Sequence, residues 1–217
     1  MSNIYIQKIE RKIIQQNKIG NSKKKYYRNP NILERFFTTY AAKHTSKSLD
    51  IGSGPDPKNP FNSNEIFGVD LREKAENNVL YADLTFGSLP FKDNYFDYIT
   101  AFDVLEHISR ISFINGETKY PFINLLNEIY RVMKLDGIFF NIQPCFPAKE
   151  AFQDPTHINI MTEDTLNLYF CTKAWARIYG YEGSFKMLED GWIGPKYFSF
   201  MKKINSEPIK DLNFVQK

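Results

Sequence analysis

Four short apolar segments between residues 48 and 102 constrain this chain more than any other feature. A glycine or an aspartate follows each one. The segments are 48–51, 66–69, 79–82 and 96–102, and the residues after them are Gly52, Asp70, Asp83 and Asp103. Segments this short and this apolar are typical of strands that are buried on both faces of a sheet. They predict parallel strands whose ends meet at one edge.

The second half of the chain completes the predicted sheet. Residues 119–134 have helical periodicity, and Asp136 and Gly137 predict a turn into a fifth strand over 138–142. Two further strands are expected over 184–189 and 196–203, joined by a turn containing Gly191, Gly194 and Pro195. The expected fold is therefore α/β, with a mostly parallel seven-stranded sheet and an antiparallel hairpin at one edge.

Residues 1–46 are polar and helical in pattern, and we expect them to form N-terminal cover helices. A stripe of isoleucines between Ile4 and Ile14 predicts one helix, and Pro30 is suited to the first turn of a second helix that runs to Tyr40. Residues 47–217 are expected to form the main part of what we interpret as a single domain overall, because no low-complexity linker or internal repeat divides the chain.

Composition narrows the possible partners. The net charge of +3 is too small to indicate nucleic-acid binding, and the basic cluster at 23–25 is typical of a solvated surface. Cys145 and Cys171 lack the spacing of a metal site or disulfide framework, which favours a cytoplasmic location. The first residues do not resemble a signal peptide, and no apolar stretch approaches the ~20 residues that span a bilayer. We expect a small-molecule partner, with neither nucleic acid nor a membrane span.

The strand ends predict a ligand site. Ligands of open α/β sheets bind beyond the carboxyl ends of the strands. Gly52 and Gly54 allow close approach to their backbone, and the Asp70 carboxylate suits a ribose diol. Asp50 is expected either to hold the loop or to receive a ligand ammonium. Residues 83–84 offer a hydrogen-bond acceptor and an apolar plate for an adenine ring.

Dinucleotide-binding enzymes also have a glycine pair followed by an acid at a strand end, so this motif is weak evidence by itself for any one cofactor. Here the third glycine of the dinucleotide pattern is absent, and acids recur at successive strand ends. A cationic sulfonium cofactor suits such an acidic site better than a diphosphate does.

Over about residues 47–170 the chain resembles class I S-adenosylmethionine-dependent methyltransferases of the type 11 group, which have a Rossmann-like fold. The resemblance is carried by LDIGSGPDP, FGVDL, YADLTFGSLPFKDNYFDYITAFDVLEHI, LLNEIYRVMKLDGIFFNIQP and DPTHINIMTEDTL. It implies an enzyme that uses S-adenosyl-L-methionine. The cofactor-binding residues that it implies are Asp50, Gly52, Ser53, Gly54, Asp70, Leu71, Asp83, Leu84, Phe102 and Asp103.

The chain departs from the usual family pattern after the glycine loop. Pro55, Pro57 and Pro60 crowd a segment of about ten residues that is too short and too proline-rich for the usual helix. A short-loop branch that is associated with surface-polysaccharide biosynthesis shares this feature. The resemblance therefore implies O-methylation of a sugar, a nucleotide-activated sugar or a related small-molecule precursor.

Two of the three histidines are candidate bases for removing a proton from such a hydroxyl. His107 follows the fourth strand, and by the resemblance it would face the acceptor pocket. His157 lies in a long irregular loop after the fifth strand, where Asp154 could orient it. His44 is interpreted as a surface residue. Asp103, Glu106, His107, Asp154 and His157 could converge on a metal, but no ligand spacing supports one, and we expect none.

The acceptor pocket is expected between the N-terminal helices, the 108–120 segment and the 144–175 loop. These segments hold seven aromatic residues, and we expect most of them to belong to the core rather than to a binding surface. They are Phe113, Tyr120, Phe146, Phe152, Tyr169, Phe170 and Trp175.

Other functional classes remain open at this point. One is a non-catalytic module that binds S-adenosylmethionine, although near-complete cofactor segments and two candidate bases argue against it. The other is an NAD-dependent oxidoreductase or sugar-nucleotide epimerase, which the missing diphosphate machinery disfavours. Methylation of RNA or protein is also disfavoured, because Asp103-Val104-Leu105-Glu106 stands where some nucleic-acid amino-methyltransferases carry an Asn/Asp-Pro-Pro-aromatic motif.

Overall fold

A computed structural model describes residues 25–29, 31–41, 44–72, 77–171 and 173–206. The isoleucine stripe expected between Ile4 and Ile14 lies outside these residues, as do Lys23, Lys24 and Pro30. The second of the two N-terminal helices is present over Ile32–Tyr40.

The described residues form nine strands, four α-helices and two 3-10 turns. The helices are α1 (Ile32–Tyr40), α2 (Pro121–Val132), α3 (Glu150–Gln153) and α4 (Glu163–Phe170), and the 3-10 turns cover Leu105–His107 and Trp175–Tyr179. The strands are β1 (Lys47–Ile51), β2 (Glu65–Asp70), β3 (Val79–Tyr81), β4 (Phe96–Phe102), β5 (Ser112–Ile114), β6 (Glu117–Lys119), β7 (Met133–Pro144), β8 (Phe185–Ile193) and β9 (Lys196–Lys203).

Seven strands form one sheet in the order β3-β2-β1-β4-β7-β9-β8. The pairs from β3 to β7 are parallel, and β9 is antiparallel to both β7 and β8. The expected mostly parallel sheet with an antiparallel hairpin at one edge is therefore confirmed. Parallel pairing places the carboxyl ends of β1, β2, β3 and β4 at the same edge, as the alternation of strand and crossover requires.

Both faces of the sheet are covered, which explains why its strands are apolar along their length. Residues Ile99 and Phe139 pack into a cluster with α2 and α4 on one face. Their chain neighbours Tyr98 and Phe140 pack into a second, aromatic cluster that includes Phe37 of α1. Alternate side chains of one strand thus serve two cores.

Three details differ from the sequence expectation. A two-stranded hairpin, β5–β6, stands where no strand was predicted. Strand β7 begins at Met133, so Asp136 and Gly137 lie within it rather than in a turn before it. Gly191 also lies inside a strand, and the turn is made by residues 194–195. Glycine is needed at 191 because a β-carbon there would meet the ring of Tyr27 at 2.5 Å.

The chain between β1 and β2 contains no regular helix, as the proline-rich sequence predicted. Thr162 caps α4: its side chain accepts from the backbone of Thr165, and the Thr165 hydroxyl accepts from the amide of Thr162 at 3.0 Å. Among the described residues, no helix has the length and apolar character needed to cross a membrane.

Candidate cofactor and acceptor site

The glycine loop after β1 is shaped by the two residues that the sequence singled out. Gly52 and Gly54 have φ values of 63° and 62°, in the left-handed region that glycine adopts at little cost. A β-carbon on Gly52 would overlap Val104, whereas nothing lies within 4 Å of the corresponding position on Gly54. The loop therefore packs on the end of β4 at Gly52 and faces open space at Gly54.

Asp70 connects this loop to β2. Its Oδ2 accepts from the amide of Gly54 at 3.0 Å, and its Oδ1 accepts from the amide of Arg72 at 3.2 Å. The Asp70 carbonyl accepts from the amide of Ala82 at 3.0 Å, which places the start of the segment carrying Asp83 beside it. The glycine loop and both acids thus lie at one edge of the sheet, as the sequence predicted.

Asp50 holds the loop, which is the first of the two roles considered for it. Its side chain is buried, accepting from the amide of Lys58 at 2.9 Å and from the hydroxyl of Thr100 at 2.6 Å. Burial raises the pKa of Asp50, while these two hydrogen bonds and the charge of Lys58 oppose the change. Asp50 is only 1% exposed and both of its carboxylate oxygens accept from the protein, so its position favours holding the loop over receiving a ligand ammonium.

The remaining candidate cofactor residues divide into buried and accessible groups. Ser53 and Leu84 are almost wholly buried, and Leu84 belongs to the core rather than forming an open plate for a ring. Leu71 is 64% exposed next to Asp70. Asp83 is partly exposed, with its Oδ1 accepting from the amide of Thr85 at 2.8 Å.

The end of β4 presents an aromatic ring and an acid. The ammonium of Lys58 lies 4.8 Å from the centre of the Phe102 ring. Asp103 has a φ of 53°, an uncommon conformation for a residue with a β-carbon, and pairs with Lys196 at 2.5 Å. Its side chain is 43% exposed, so the acid remains accessible at the end of β4.

Two histidines and a glutamate meet just beyond Asp103. The rings of His107 and His157 lie 4.8 Å apart between centres and are nearly perpendicular. His157 Nε2 is 3.9 Å from Oε1 of Glu106, a carboxylate that is only 1% exposed. The loop after β4 and the loop after β7 meet here because their strands are parallel neighbours in the sheet.

Glu106 is the residue whose importance the sequence pattern understated. Neither of its carboxylate oxygens has a hydrogen-bond partner among the described residues, and burial raises its pKa to about 7. Glu106 is flanked by the apolar residues Val104, Leu105 and Ile108, and this apolar surrounding is the signal that could have identified it.

Asp154 acts on a different histidine from the one expected. Its Oδ1 accepts from both the amide and the hydroxyl of Thr156, at 2.8 and 2.6 Å. The Thr156 hydroxyl lies 3.0 Å from Nδ1 of His107 and must accept there, because its own proton is given to Asp154. Asp154 contacts His157 only through the backbone in the described part of the chain, where the amide of His157 donates to the Asp154 carbonyl at 3.1 Å. The Asp154 carboxylate therefore does not orient the His157 ring in this structure, contrary to the expectation.

Two neighbouring cavities include residues that closely follow Asp83 and His107 in the chain. One of about 480 Å³ extends from Thr85 and Phe86 to Tyr120 and Tyr179. The second, of about 360 Å³, shares Tyr120 and Tyr179 and continues to Arg110 and Tyr169. The 108–120 segment and α2 contribute to both linings, and α4 contributes to the smaller cavity alone. The 108–120 segment and α4 are among the regions expected to build an acceptor pocket.

The expectation that most of the seven aromatic residues belong to the core is wrong. Phe170 is buried, and Tyr120 is partly exposed. The other five are exposed, with fractions from 39% to 80%. They are Phe113, Phe146, Phe152, Tyr169 and Trp175.

Comparison with known proteins agrees with this geometry. Residues 49–141 match a family model described as a methyltransferase domain. The structure resembles a SAM-dependent methyltransferase from Aquifex aeolicus, with 16% identity, a TM-score of 0.54 and coverage of 81% of this chain and 94% of that one. No curated protein matches the chain.

Two other solved structures show how widely the fold is used. A methyltransferase from Haloferax volcanii, solved in complex with the Trm112 methyltransferase activator, shares 10% identity at a TM-score of 0.52 and covers 79% and 88% of the two chains. The [4+2]-cyclase SpnF shares 18% identity at a TM-score of 0.52, with 81% of each chain covered. At these identities the likeness establishes the fold alone.

The matched domain and the seven-stranded sheet together support an enzyme of the S-adenosylmethionine-dependent methyltransferase class, with S-adenosylmethionine as its cofactor.

Proposed function

We propose that this protein transfers the methyl group of S-adenosylmethionine to a hydroxyl of a sugar, or of a related small-molecule precursor of a surface polysaccharide. The proposal depends on one observation. The glycine turn, the Asp70 carboxylate and a pair of adjacent histidines all follow the carboxyl ends of the parallel strands, at the same edge of the sheet. The cofactor half has the better support, because the matched domain spans these residues up to 141.

For the cofactor, we propose that Gly52 to Gly54 enclose the methionine portion and that Asp70 accepts hydrogen bonds from the ribose hydroxyls. Asp70 can do so because its side chain is 15% exposed, and the ion pair that it forms, with Arg72, is with a side chain that is itself exposed. Leu71, Asp83, Phe102 and Asp103 line the rest of the site. Asp50, Ser53 and Leu84 then act by supporting the loop and the core, since they are buried.

For the chemistry, we propose that His107 or His157 receives the proton of the acceptor hydroxyl. The hydrogen bonds from Nδ1 of His107 to the Thr156 hydroxyl, and from that hydroxyl to Asp154, place the ring proton on Nδ1. Nε2 of His107 is then the nitrogen that can accept a proton. His157 lies against Glu106 and is more enclosed, with a side chain 10% exposed. The hydroxyl oxygen bonds to the methyl carbon as the carbon–sulfur bond breaks, and the electron pair of that bond stays on sulfur.

For the acceptor, the two cavities that share Tyr120 and Tyr179 favour a ring-shaped, hydrogen-bonding molecule. Tyrosine rings at 120, 169 and 179 offer flat apolar faces with hydroxyls, which suit sugar rings. Arg110 is already engaged by Asn159 and the carbonyl of Ile160, so it shapes the cavity rather than supplying a free cation.

The test is isothermal titration calorimetry with S-adenosylmethionine, S-adenosylhomocysteine and NAD. Wild-type protein should bind the first two and not NAD. Asp70→Asn should weaken S-adenosylhomocysteine binding by about 1.5–3 kcal/mol, since a charged acceptor of hydrogen bonds is lost. The matched control is Asp136→Asn, which changes an exposed acid that pairs with Lys202 near the start of β7, away from the carboxyl ends of the parallel strands. This variant should bind S-adenosylhomocysteine as tightly as the wild type.

The outcomes separate the alternatives. Unchanged affinity in Asp70→Asn would refute the placement of the ribose, and binding of NAD would favour an oxidoreductase. Transfer of a labelled methyl group to a nucleotide-sugar panel tests the acceptor. Binding of the cofactor without transfer to any hydroxyl acceptor would favour a non-catalytic module.

A further inference from the structure

We propose that Glu106, His107 and His157 form a binding site for a divalent transition-metal ion. Each residue offers one ligand atom, and these atoms lie within 4.8 Å of one another. Two imidazole nitrogens and one carboxylate oxygen are the donor set that zinc and iron(II) use in open sites with room for a further ligand. This assignment replaces the expectation of no metal.

The burial of Glu106 is the first independent support. A carboxyl that is 1% exposed, with neither oxygen hydrogen-bonded among the described residues, is costly to retain unless something compensates it. Nε2 of His157 lies 3.9 Å from Oε1 of Glu106. A cation bound between these atoms would compensate the carboxylate and take the Nε2 lone pair.

The environment of His107 is the second support. A metal-binding histidine normally donates its other ring N–H to a carboxylate, a carbonyl or a hydroxyl that fixes the tautomer. Nδ1 of His107 has two such partners, the Thr156 carbonyl at 3.2 Å and the Thr156 hydroxyl at 3.0 Å. Asp154 in turn holds that hydroxyl. The ring is therefore oriented with Nε2 free to bind an ion.

The backbone around the site is also held in place. Asn159 is fully buried; its amide donates to the carbonyl of Glu106 at 2.9 Å, and its side chain donates to the carbonyl of Leu105 at 3.0 Å. Arg110 donates to the side-chain oxygen of Asn159. These bonds join the two loops that carry the three ligands, so the ligands are brought together by the fold rather than by chance surface proximity.

The spacing is compatible with closure on an ion. Ligand atoms of a tetrahedral zinc site lie about 3.4 Å apart, given bonds of about 2.0–2.1 Å. Starting from separations of up to 4.8 Å, side-chain movements of about 1 Å complete the site. Only three ligands come from the protein in this cluster, which leaves a position for water or for an acceptor.

The use of the ion rests on the proposed function. An acceptor hydroxyl bound to the metal would have a lowered pKa and lose its proton to water. With the ion bound, the two histidines are ligands, and this route of proton loss takes the place of the base role proposed above for the metal-free site. The resulting oxygen forms the bond to the methyl carbon, and the electron pair of the broken carbon–sulfur bond remains on sulfur. Val104, which packs on Gly52, lies two residues from Glu106 and connects the metal site to the cofactor loop.

The test is titration of chelator-treated, tag-free full-length protein with Zn²⁺ against a chromogenic competitor. We expect one zinc per wild-type chain. Glu106→Gln, His107→Gln and His157→Gln should each weaken binding by more than about 100-fold, and Thr156→Val by about 10-fold, as expected for a group that only orients a ligand. The control is His44→Gln, an exposed histidine outside the cluster, which should bind zinc as wild type does.

The proposal would be overturned if the wild type did not bind zinc. It would also be overturned if Glu106→Gln and His157→Gln bound zinc as tightly as the wild type while unfolding cooperatively, which shows that both variants are folded. If Glu106→Gln does not fold, His107→Gln provides the test, because His107 is only partly buried. The visible bands of the wild-type Co²⁺ complex must then have the intensity of a four- or five-coordinate ion, and these bands must be lost in His107→Gln. If the protein binds zinc but not S-adenosylhomocysteine, the proposed function fails and the metal site stands. If it binds S-adenosylhomocysteine but not zinc, the metal site fails and the proposed function stands.

Discussion

At the scale of single residues, Gly52 and Gly54 share a backbone conformation but differ in what surrounds them. Gly52 is pressed against Val104, whereas the space in front of Gly54 is open. The first glycine is therefore required by packing within the protein. The second is available for close approach by a ligand.

This difference predicts unequal costs of the same substitution. Gly54→Ala should destabilise the protein by about 1–2 kcal/mol through its left-handed φ alone. Gly52→Ala should cost about 1–3 kcal/mol more, because its methyl group overlaps Val104. Urea unfolding measures both values. Equal losses in the two variants would mean that Val104 moves aside freely.

Asp50 gives a pH dependence that can be isolated. Burial raises its folded-state pKa above 3.8, so the folded protein keeps this proton to a higher pH than the unfolded chain does. The folded state then binds more protons over that interval, and the free energy of unfolding contributed by this group falls as the pH rises through it. Above the raised pKa the contribution is constant.

The comparison is wild type against Asp50→Asn, with unfolding free energies measured across acidic pH. The difference between the two proteins should decline from about pH 3.8 upward and then level off. Other carboxylates titrate in the same range, but they cancel in the difference. A difference that rises with pH would show that the hydrogen bonds to Lys58 and Thr100 outweigh burial.

At the scale of elements, α4 is a short helix whose position depends on its first turn. The reciprocal bonds between Thr162 and Thr165 satisfy amides that the helix itself leaves unpaired. Glu163 accepts from the indole of Trp192 at 2.9 Å, which connects the same turn to β8. The cap therefore helps to hold the helix that lines the smaller cavity.

Thr162→Ala should lower the free energy of unfolding by about 1 kcal/mol because the cap is lost. Thr39→Ala is the matched control, since the Thr39 hydroxyl bonds back to the carbonyl of Arg35 inside α1 and alanine is the better helix former. That variant should be unchanged or slightly more stable in the same denaturant titration. Equal losses in both would assign the effect to the lost side chain rather than to capping.

Local patterns predicted most elements because each carries its own signal. Continuous apolar runs indicated β1 to β4, turn residues indicated the β8–β9 hairpin, and proline indicated the irregular segment after β1. The hairpin β5–β6 escaped prediction because its strands are three residues each and mostly exposed, so they show no buried face. Strand β7 begins early because Met133 pairs with Phe96 across an irregularity in register, which local sequence does not encode.

At the scale of the whole molecule, the sheet order brings the functional side chains together. Strands β1 and β4 lie side by side although 44 residues separate Ile51 from Phe96. The fold resembles those of a SAM-dependent methyltransferase and of a cyclase. The fold alone therefore does not identify the reaction.

The sequence by itself determined the strands, the glycine turn and the acids that end the strands, because apolar runs and turn residues act over a few neighbours. Only the tertiary structure decided which role Asp50 takes, which histidine Asp154 serves and where Glu106 lies. Those outcomes depend on contacts between segments about 50 residues apart, such as Thr100 with Asp50 and Thr156 with His107. Such contacts arise from strand order and burial, which no local periodicity records.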